Sequence, residues 1–520
     1  RSLIWTLRHQ GLTMLALLSV VGLNFYLYAS IPKTFFPQQD TGVIMGNVQA
    51  DQGSSFQMMR DRLDRFTSIV GADPAVSTVV GQTGGDQTNS ARFFVTLKPR
   101  AERDVSADGF VARMRGKLAH EPGANLFLVP VQDIRMGGRQ SNSQYQYTLQ
   151  ADDVDTLRTW GPLVRNALSQ LPELTDVNAD QQDKGLQTSL IIDREAAARM
   201  GVSVASLDST LNDAFGQRQV GVIYNPLNQY RVVMELAPEY LQGPQTLHRL
   251  YVTSKAGQQV PLDAFTRFET TNAPLSVNHQ SGSPASTISF NLPLGVSLSS
   301  ATQAITQAMA KLGTPVSMRG SFQGTASAFQ QSLSSQPMLI GAAIVAIYLV
   351  LGMLYESLIH PVTILSTLPS AGVGALLALM LFDTEFSIIA LIGVILLIGI
   401  VKKNAIMMID FAIAQQRHSD VTAVQAIYRA ACLRVRPILM TTVAAMFGAV
   451  PLALGHGDGA ELRQPLGMAI VGGLLLSQML TLYTTPVVFV LMDRLSSRSR
   501  RARKARLMTP PVMATPVSAS

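Results

Sequence analysis

The chain has 520 residues, of which 47% are hydrophobic and 14% are charged. Soluble domains carry about 25% charged residues, so this composition favours a membrane protein. The net charge of +7 does not indicate nucleic-acid binding, because the basic residues concentrate after the last apolar segment, as in a cytoplasmic anchor. That basic tail, predicted over 493–520, contains Arg494, Arg498, Arg500, Arg501, Arg503, Lys504 and Arg506.

The first predicted element is an apolar segment from Gly11 to Ile31. At a helical rise of about 1.5 Å per residue it is long enough to cross a hydrocarbon core of about 30 Å. The chain begins with Arg1, and the segment lacks a small-residue cleavage signal. We therefore expect a membrane span in a fragment of a longer protein, with residues 1–31 forming a cytoplasmic start and the first span.

Two sets of β-like runs and amphipathic helices follow this span. Residues 32–140 predict strands and helices at Val43–Val48, Phe56–Val70, Phe93–Leu97, Ala107–Leu118 and Asn125–Val131. Residues 141–188 and 269–335 predict a second set at Tyr145–Leu149, Val154–Leu171, Ser286–Leu292, Leu298–Leu312 and Val316–Phe322. Each set predicts a split βαβ, ferredoxin-like subdomain.

Residues 189–268 interrupt the second set. They predict a helix at Val204–Phe215 and two β-rich runs, Val220–Tyr224 and Tyr230–Leu236. The turn between these runs predicts a hairpin, and it consists of Asn225, Pro226, Leu227 and Asn228. We interpret the insertion as a protruding element that contacts another subunit or protein. The alternative is an ordinary solvated excursion.

Five more apolar segments predict five further spans within residues 336–492. They are Pro337–Tyr355, Val362–Phe382, Ser387–Ala414, Pro437–Gly455 and Leu466–Met492. Basic loops stay in the cytoplasm, and the predicted loop between the fourth and fifth spans carries Arg417, Arg429, Arg434 and Arg436. Both termini are therefore expected inside. The long segment after the first span and the link His456–Pro465 are expected outside, in the periplasm of a bacterium.

Three stretches carry a resemblance to a known family: Gly399–Phe411 (GIVKKNAIMMIDF), Arg434–Thr442 (RVRPILMTT) and Leu354–Ser357 (LYES). Over essentially its full length the chain resembles the second half of a permease subunit of the resistance-nodulation-division efflux pumps, in their hydrophobe/amphiphile branch. Ile31–Pro37, Ser141–Asn142 and Phe215–Gln219 are similar to one subgroup of that branch.

The resemblance implies a polytopic α-helical membrane protein with six transmembrane helices and a large α+β periplasmic domain. In that domain the two split βαβ subdomains form porter layers, and residues 189–268 form a docking subdomain. It implies a secondary active transporter of the inner membrane, driven by the proton gradient without a cofactor. The implied partners are the N-terminal half of the subunit, a homo- or heterotrimer, a periplasmic adaptor, an outer-membrane channel, membrane lipids and amphiphilic small molecules.

Lys402 and Lys403 lie within the fourth predicted span. An unpaired lysine at mid-membrane costs about 2.5–3.5 kcal/mol, so such a residue indicates function and requires a partner. Adjacent helical residues point about 100° apart, so the two lysines cannot share one face. The alternative for each is that its methylene stem carries the ammonium group to the headgroups.

The resemblance assigns a proton relay to Lys403, Asn404, Arg434 and Thr441, with two partner aspartates supplied by the N-terminal half. Asp410 lies about 10 Å along the helix from Lys403, which is too far for a tight pair. For Arg434 the alternative is an anchor at the cytoplasmic side. For Thr441 it is a hydrogen bond to its own helix.

A glycine-rich segment, Gly81–Asn89, precedes the strand that holds Phe94. The resemblance implies a switch loop between two drug pockets and assigns substrate binding to Phe94, Gly81, Gln82, Gly84 and Gly85. Several aromatic positions of the best-known drug pumps are Val, Gln or Gly here, so we expect a more polar pocket for amphiphiles such as bile-salt-like molecules. The alternatives are an idle turn and a core-packing role for Phe94.

Other classes fit less well. A heavy-metal exporter of the same superfamily requires converging ligands, but the seven histidines are scattered and no cysteine pair exists, so no metal site is predicted. The chain contains no P-loop, GxSxG or HExxH, so an enzyme is not predicted. A subunit that assembles and cycles without conducting protons stays open.

Overall fold

A computed structural model describes residues 2–508 except 85, 86, 120, 135, 140, 242, 419, 420, 456 and 458, with side chains described to residue 495. Arg1 and Gly85 therefore lie outside the described residues, as do the tail side chains from Arg498 onward and part of the link predicted at His456–Pro465. The described chain divides into two units. Unit 1 comprises residues 2–50, 55–180 and 278–508, and unit 2 comprises Asp51–Ser54 and Gln181–Val277.

The helices and strands predicted from the hydrophobic periodicity occur in the predicted order, and further short elements lie between them. The helices are α1 Ser2–Arg8, α2 Gln10–Ser30, α3 Phe56–Gly71, α4 Ala107–Leu118, α5 Val154–Ser169, α6 Arg194–Arg199, α7 Val204–Phe215, α8 Leu298–Leu312, α9 Thr325–Tyr355, α10 His360–Leu365, α11 Leu368–Leu381, α12 Ile388–His418, α13 Ala423–Leu454 and α14 Ala460–Met508. The strands are β1 Val43–Ala50, β2 Val76–Thr83, β3 Ser90–Leu97, β4 Ala124–Pro130, β5 Tyr145–Ala151, β6 Thr175–Ala179, β7 Gly185–Ile192, β8 Arg218–Tyr224, β9 Gln229–Met234, β10 Tyr251–Thr253, β11 Gln259–Pro261, β12 Thr266–Ala273, β13 His279–Gln280, β14 Ser283–Asn291 and β15 Met318–Gln323.

Local sequence sets where the helices of the β-rich part begin and end. The side chains of Ser55, Ser106 and Asp153 accept hydrogen bonds from the first-turn amides of α3, α4 and α5. Such caps satisfy backbone donors that have no partner within the helix. Helix α8 ends at Gly313 with φ of 61°, a left-handed conformation that glycine adopts without steric cost.

The first sheet has the strand order β2-β3-β1-β4 with antiparallel pairing throughout. Helix α3 connects β1 to β2 and helix α4 connects β3 to β4, which is a split βαβ topology. Both helices contribute to a core with one face of the sheet, as in the contacts among Phe93, Met59 and Phe110. Along β3, buried and exposed residues alternate strictly, so the helices cover only one face.

The second sheet repeats this order with β6-β14-β5-β15, and the short β13 pairs with β14. Helices α5 and α8 pack on it around Leu168, Phe290 and Ile305. Strand β6 was not predicted from the sequence. Its residues are half-buried and give no clear alternation of apolar side chains, whereas its pairing with β14 is long-range.

Unit 2 is an insertion between β6 and β14. Strands β7 and β12 pair antiparallel along their full length, and a small core forms around Leu207, Val252 and Phe265. The predicted boundaries at 189 and 268 fall inside these two paired strands, so the compact unit extends beyond both of them. Helix α7 has the predicted bounds.

Six helices are long and apolar enough to cross a membrane, judged by length and composition over the described residues. They are Gln10–Ser30, Thr325–Tyr355, His360–Leu381, Ile388–His418, Ala423–Leu454 and Ala460–Leu495. The six predicted spans therefore coincide with six helices. One detail was wrong: α12 extends to His418 and α13 begins at Ala423, so Arg417, Arg429, Arg434 and Arg436 are helical and do not belong to a loop.

The membrane helices connect to the sheets through the segment after α2. The amide of Thr34 donates to Phe386 O at 3.2 Å, and the amide of Phe386 donates to Pro32 O at 2.9 Å. The amide of Ile388, the first residue of α12, donates to Phe35 O at 3.1 Å. These bonds tie the start of α12 to the chain that leads into β1.

Helix α14 packs against α11, α12 and α13. The approach to α11 is close because glycines face each other: a Cβ at Gly374 would lie 2.5 Å from Gly472 O and 2.9 Å from Leu476 Cβ. Small residues at a crossing let membrane helices approach closely and gain van der Waals contact.

Gly374→Ala is expected to destabilise the helix bundle by about 1–3 kcal/mol, because the added methyl group overlaps backbone of α14. The measurement is the temperature at which half of the purified full-length protein loses its monodisperse elution peak. Gly341→Ala in α9 is the matched control, since a Cβ there meets no atom within 4 Å. Equal temperatures for both variants would contradict the close crossing.

Candidate functional site

The two lysines of the fourth predicted span, of which Lys403 was assigned to the relay, lie near the middle of α12, a helix of 31 residues. Lys402 is buried at 4% exposure, and its Nζ has no hydrogen-bond partner in the described part of the chain. Lys403 is exposed. The sequence interpretation places Lys403 in the membrane with partners from the other half, which exposure within this chain does not test; the lysine that this chain itself buries is Lys402.

Lys403 shares an uncovered face with other polar groups. Asp410 lies two helical turns further along α12 and is also exposed, and the described residues include no ion pair between the two. On α13, Arg434 lies above the ring of Phe411 with its Cζ at 5.1 Å from the centroid, a cation–π geometry. The hydroxyl of Thr441 donates to Ile438 O at 3.1 Å, so in this arrangement it bonds its own helix.

Asn404 points into the bundle and joins three helices. Its Nδ2 donates to Thr442 Oγ1 on α13 at 2.9 Å and to Gln478 Oε1 on α14 at 3.1 Å. The Thr442 hydroxyl lies 2.8 Å from Gln478 Oε1 and 2.9 Å from Ile438 O. A polar group in hydrocarbon must bond internally, so this triad fixes the rotation of α12 against its neighbours.

Of the predicted relay residues, only Asn404 belongs to this buried triad. Thr442 and Gln478 were missed by sequence reasoning. A lone amide at Gln478 in the apolar run Leu466–Met492 is the signal that points to it, because polar residues in spans rarely face lipid. No sequence feature distinguishes Thr442, since threonine is common in such helices and Thr441 is its direct neighbour.

The uncovered face of the first sheet carries the candidate substrate site. Paired residues form two rows across the strands β2, β3, β1 and β4. The first row is Gln82, Arg92, Asn47 and Phe127, and the second is Val80, Phe94, Met45 and Val129. One row is polar and cationic with an aromatic end, and its neighbour is apolar.

Seven of these eight residues, all except Val80, line a cavity of about 730 Å³ between this face and residues of the second sheet. The second wall comes from the segment before β5, from β5 itself, from the end of β15 and from the start of α9, with Gln144, Gln146, Gln323 and Thr325. Amides therefore dominate this wall. The charged side chains among the described lining residues are Arg92 and Arg139.

The two arginines differ in their environment. Arg139 donates to Asn278 Oδ1 at 2.6 Å and lies 4.0 Å from Asp180 Oδ2. Burial raises the pKa of the Asp180 carboxyl above its ordinary value, although the Thr287 amide and Arg139 oppose this shift. Arg92 is exposed and forms no hydrogen bond or ion pair with the chain that the structure describes.

The segment after β4 closes one side of the cavity. The side chain of Gln146 binds it at two points, accepting from the Arg139 amide at 3.0 Å and donating to Ser141 Oγ at 2.8 Å. Asn142 also contacts the first sheet, through a hydrogen bond from Asn47 Nδ2. The cavity is thus bridged by amides.

The predicted substrate residues separate in the structure. Phe94 is 37% exposed and lines the cavity, whereas its neighbour Phe93 is fully buried in the core. The core-packing alternative for Phe94 is therefore wrong. Gln82 and Gly84 also line the cavity. Gly81 does not, because it faces α3, where a Cβ would lie 2.8 Å from Leu63 Cδ1.

The predicted loop Gly81–Asn89 begins later than expected, since Gly81, Gln82 and Thr83 belong to strand β2. Gly85 lies outside the described residues. The strand continues because Gly81 pairs with Phe93 and Gln82 pairs with Arg92. Glycine content alone indicated a loop, but long-range pairing overrides that local preference.

The predicted hairpin is present in unit 2 as β8 and β9. The amide of Asn225 donates to Asn228 O at 2.8 Å across the turn. Apolar side chains of the turn and of both strands are exposed: Leu227 at 94%, Tyr224 at 77% and Tyr230 at 54%. Such a contiguous apolar surface is typical of an interaction site.

Comparison with known proteins gives one family. The AcrB/AcrD/AcrF family matches residues 1–493. The chain is 61% identical over 507 residues to "Multidrug resistance protein MdtC" of Yersinia enterocolitica, covering 98% of this chain and 50% of that protein. It is 61% identical over 498 residues to the MdtC of Yersinia pseudotuberculosis, covering 96% of this chain and 49% of that protein.

Solved structures show the same fold. A protein described as a heavy metal efflux pump superposes with a TM-score of 0.84 over 95% of this chain and 52% of its own, at 24% identity. A second crystal form of such a pump gives a TM-score of 0.79. At this identity the likeness shows the fold alone.

The chain spans about half the length of the curated relatives that it matches. The stretches Ile31–Pro37, Ser141–Asn142 and Phe215–Gln219 had indicated subunits of the MdtB and MdtC type, nearer to MdtC, and this likeness is confirmed. Together with six apolar helices, these matches indicate a multi-pass protein of the inner membrane. The chain belongs to the AcrB/AcrD/AcrF family of the resistance-nodulation-division efflux transporters.

Proposed function

We propose that the whole protein exports amphiphilic compounds and drugs by antiport with protons, and that this chain is the C-terminal half of the permease subunit. The observation that carries the proposal is the mid-membrane cation Lys403, exposed on a face of α12 that the described residues leave uncovered. A charge at that depth requires counter-charges. In this proposal the N-terminal half covers the face and supplies two carboxylates.

The relay works by competition between protons and Lys403. Paired with ionised carboxylates, the ammonium group holds them charged. When a proton neutralises one carboxylate, the pairing weakens and the helices repack. Arg434 and Thr441 belong to the same relay, since both lie on α13 beside α12, two helical turns apart.

Asn404 has a different part in this scheme. Its hydrogen bonds to Thr442 and Gln478 hold α12 at one rotation, so that Lys403 stays on the uncovered face. The triad of Asn404, Thr442 and Gln478 stays fixed while the contact at Lys403 changes. A change at the Lys403 side then reaches α13 and α14 through Asn404.

The β-rich part binds the substrate in this proposal. In this proposal the two split βαβ subdomains form a periplasmic porter layer, and the cavity between them binds the exported compound. Its amide and arginine lining, with the apolar row around Phe94, suits a molecule with a polar head and an apolar body. Bile-salt-like amphiphiles have this form.

Partners follow from the same scheme. Unit 2 is proposed as the docking element toward neighbouring subunits of a homo- or heterotrimer and toward an outer-membrane channel, with a periplasmic adaptor completing the pump. The exposed apolar strands β8 and β9 support such a contact. The proton gradient supplies the energy, and no cofactor is required.

Metal export finds less support than drug export. Over the described residues, no group of three histidine, cysteine, aspartate or glutamate side chains lies close enough to hold a metal ion. Among the described residues that line the cavity, the polar groups are amides, hydroxyls and arginines, which are poor ligands for soft metal ions, and Met45 alone offers a thioether.

Lys403→Ala in the full-length protein is expected to abolish export, because the carboxylates lose their competing cation, while trimer assembly persists. Lys402→Met is the matched control: it removes an unpartnered buried ammonium group, so export is retained and stability does not fall. The measurements are drug susceptibility of a strain lacking other pumps and the elution volume of the purified trimer.

Export that survives Lys403→Ala but is lost with Lys402→Met would assign the relay to Lys402. Export that survives Lys403→Ala, together with export by the Lys402 variant, would show a subunit that does not conduct protons. Both outcomes are read in the same assay, with the unchanged protein as reference.

Leu227→Ser together with Tyr224→Ser is expected to weaken assembly of the pump by about tenfold or more while the fold persists, because both side chains lie in solvent in the chain alone. The measurement is co-purification of the permease with its partner proteins. Val316→Ser, at a residue 97% exposed, is the control for removing a surface apolar group. Unchanged co-purification would refute docking through the hairpin.

A further inference from the structure

The open face of the first sheet carries a polar row of residues, which includes Arg92, and an apolar row, which includes Phe94. The two rows are one two-residue strand repeat apart. Arg92 and Phe94 are two residues apart on β3, so their side chains point to the same side about 6.6 Å apart along the strand. Asn47 and Met45 on β1 repeat the same step, from polar to apolar. The face therefore has a polar end and an apolar end within the length of a small amphiphile.

Arg92 is flanked by neutral amides. It pairs with Asn47 on one side and with Gln82 on the other, and the opposite wall carries Gln144 and Gln146. Amide side chains both donate and accept hydrogen bonds, so they bind anionic, neutral and cationic heads alike. They do not select the sign of a charge.

The charge of the described cavity lining comes from its two arginines. The charge of Arg139 is offset by Asp180 at 4.0 Å, and its guanidinium is held by Asn278. The guanidinium of Arg92 has no such offset among the described residues, and Arg139 is the other charged side chain among the described residues that line the cavity. An unpaired guanidinium with five donors attracts carboxylate, sulfate or sulfonate groups.

We propose that Arg92 determines the charge preference of the cavity: it binds the anionic head of an amphiphile whose apolar body lies on Phe94, Met45 and Val129. The inference rests on the proposed function and specifies its substrate class. Arg92 acts as a specificity residue, while Phe94 provides contact area for any apolar body. The two roles are therefore separable by substitution.

The experiment uses probes with the same dodecyl chain and different heads: dodecyl sulfate and dodecyltrimethylammonium. Full-length protein with its partners is expressed in a strain that lacks other pumps, and the inhibitory concentration of each probe is measured. Arg92→Gln is expected to lower the resistance to dodecyl sulfate by about 3- to 10-fold, the size expected of one partly solvated charge contact, without loss for the cationic probe. Arg92→Glu is expected to reverse the preference.

Three controls make the result specific. Arg92→Lys keeps the charge and is expected to retain most of the resistance. Phe94→Ala removes apolar contact and is expected to lower resistance to both probes. Arg165→Gln removes one charge from an exposed position of α5 outside the cavity lining, and no change is expected.

Equal losses for both probes with Arg92→Gln, or no loss for either, would overturn the charge-selection role. If the unchanged protein confers resistance to neither probe, or confers it equally with Lys403→Ala, the proposed export function fails instead. The amount of assembled protein is measured by co-purification for each variant. If Arg92→Gln or Arg92→Glu does not assemble, the test compares the resistance of Arg92→Lys with that of Arg92→Met.

Discussion

Polar side chains inside the helix bundle must find partners within the protein, because hydrocarbon offers none. The hydrogen bonds from Asn404 to Thr442 and Gln478 satisfy this constraint and connect α12, α13 and α14. They also determine which side of α12 faces inward. Since Lys403 directly precedes Asn404, turning Asn404 inward turns Lys403 toward the face that the described chain leaves uncovered.

The β-rich part follows a different constraint, the alternation of side chains along a strand. Helices α3 and α4 cover one face of the first sheet, which buries Phe93 and Val95 and leaves Arg92 and Phe94 on the other face. The candidate site is thus a consequence of the same alternation that builds the core. Because the second sheet repeats the topology, amides of a second wall stand opposite this open face.

The neighbouring lysines of α12 differ in how far this chain encloses them. Lys402 is enclosed by this chain and has no partner in the described part, whereas Lys403 lies open. In the proposed relay the carboxylates come from the other half, so the cation is expected on the surface of this half. Exposure of Lys403 within this chain is consistent with that proposal.

Much of the fold was readable from the sequence alone, because apolar length and period are local properties. Helices α4, α7 and α8 and the hairpin at Asn225–Asn228 were predicted at or near their observed bounds. Each of the six predicted spans overlaps a long apolar helix, although α9 and α13 begin well before the predicted spans. Strand β6 and the extension of β2 through Thr83 were not, since pairing with distant strands decides them. The burial of Phe93 beside the exposed Phe94, the burial of Lys402 and the partners of Asn404 likewise depend on helix rotation and sheet register. These are set by contacts between residues far apart in the chain, which no local pattern encodes.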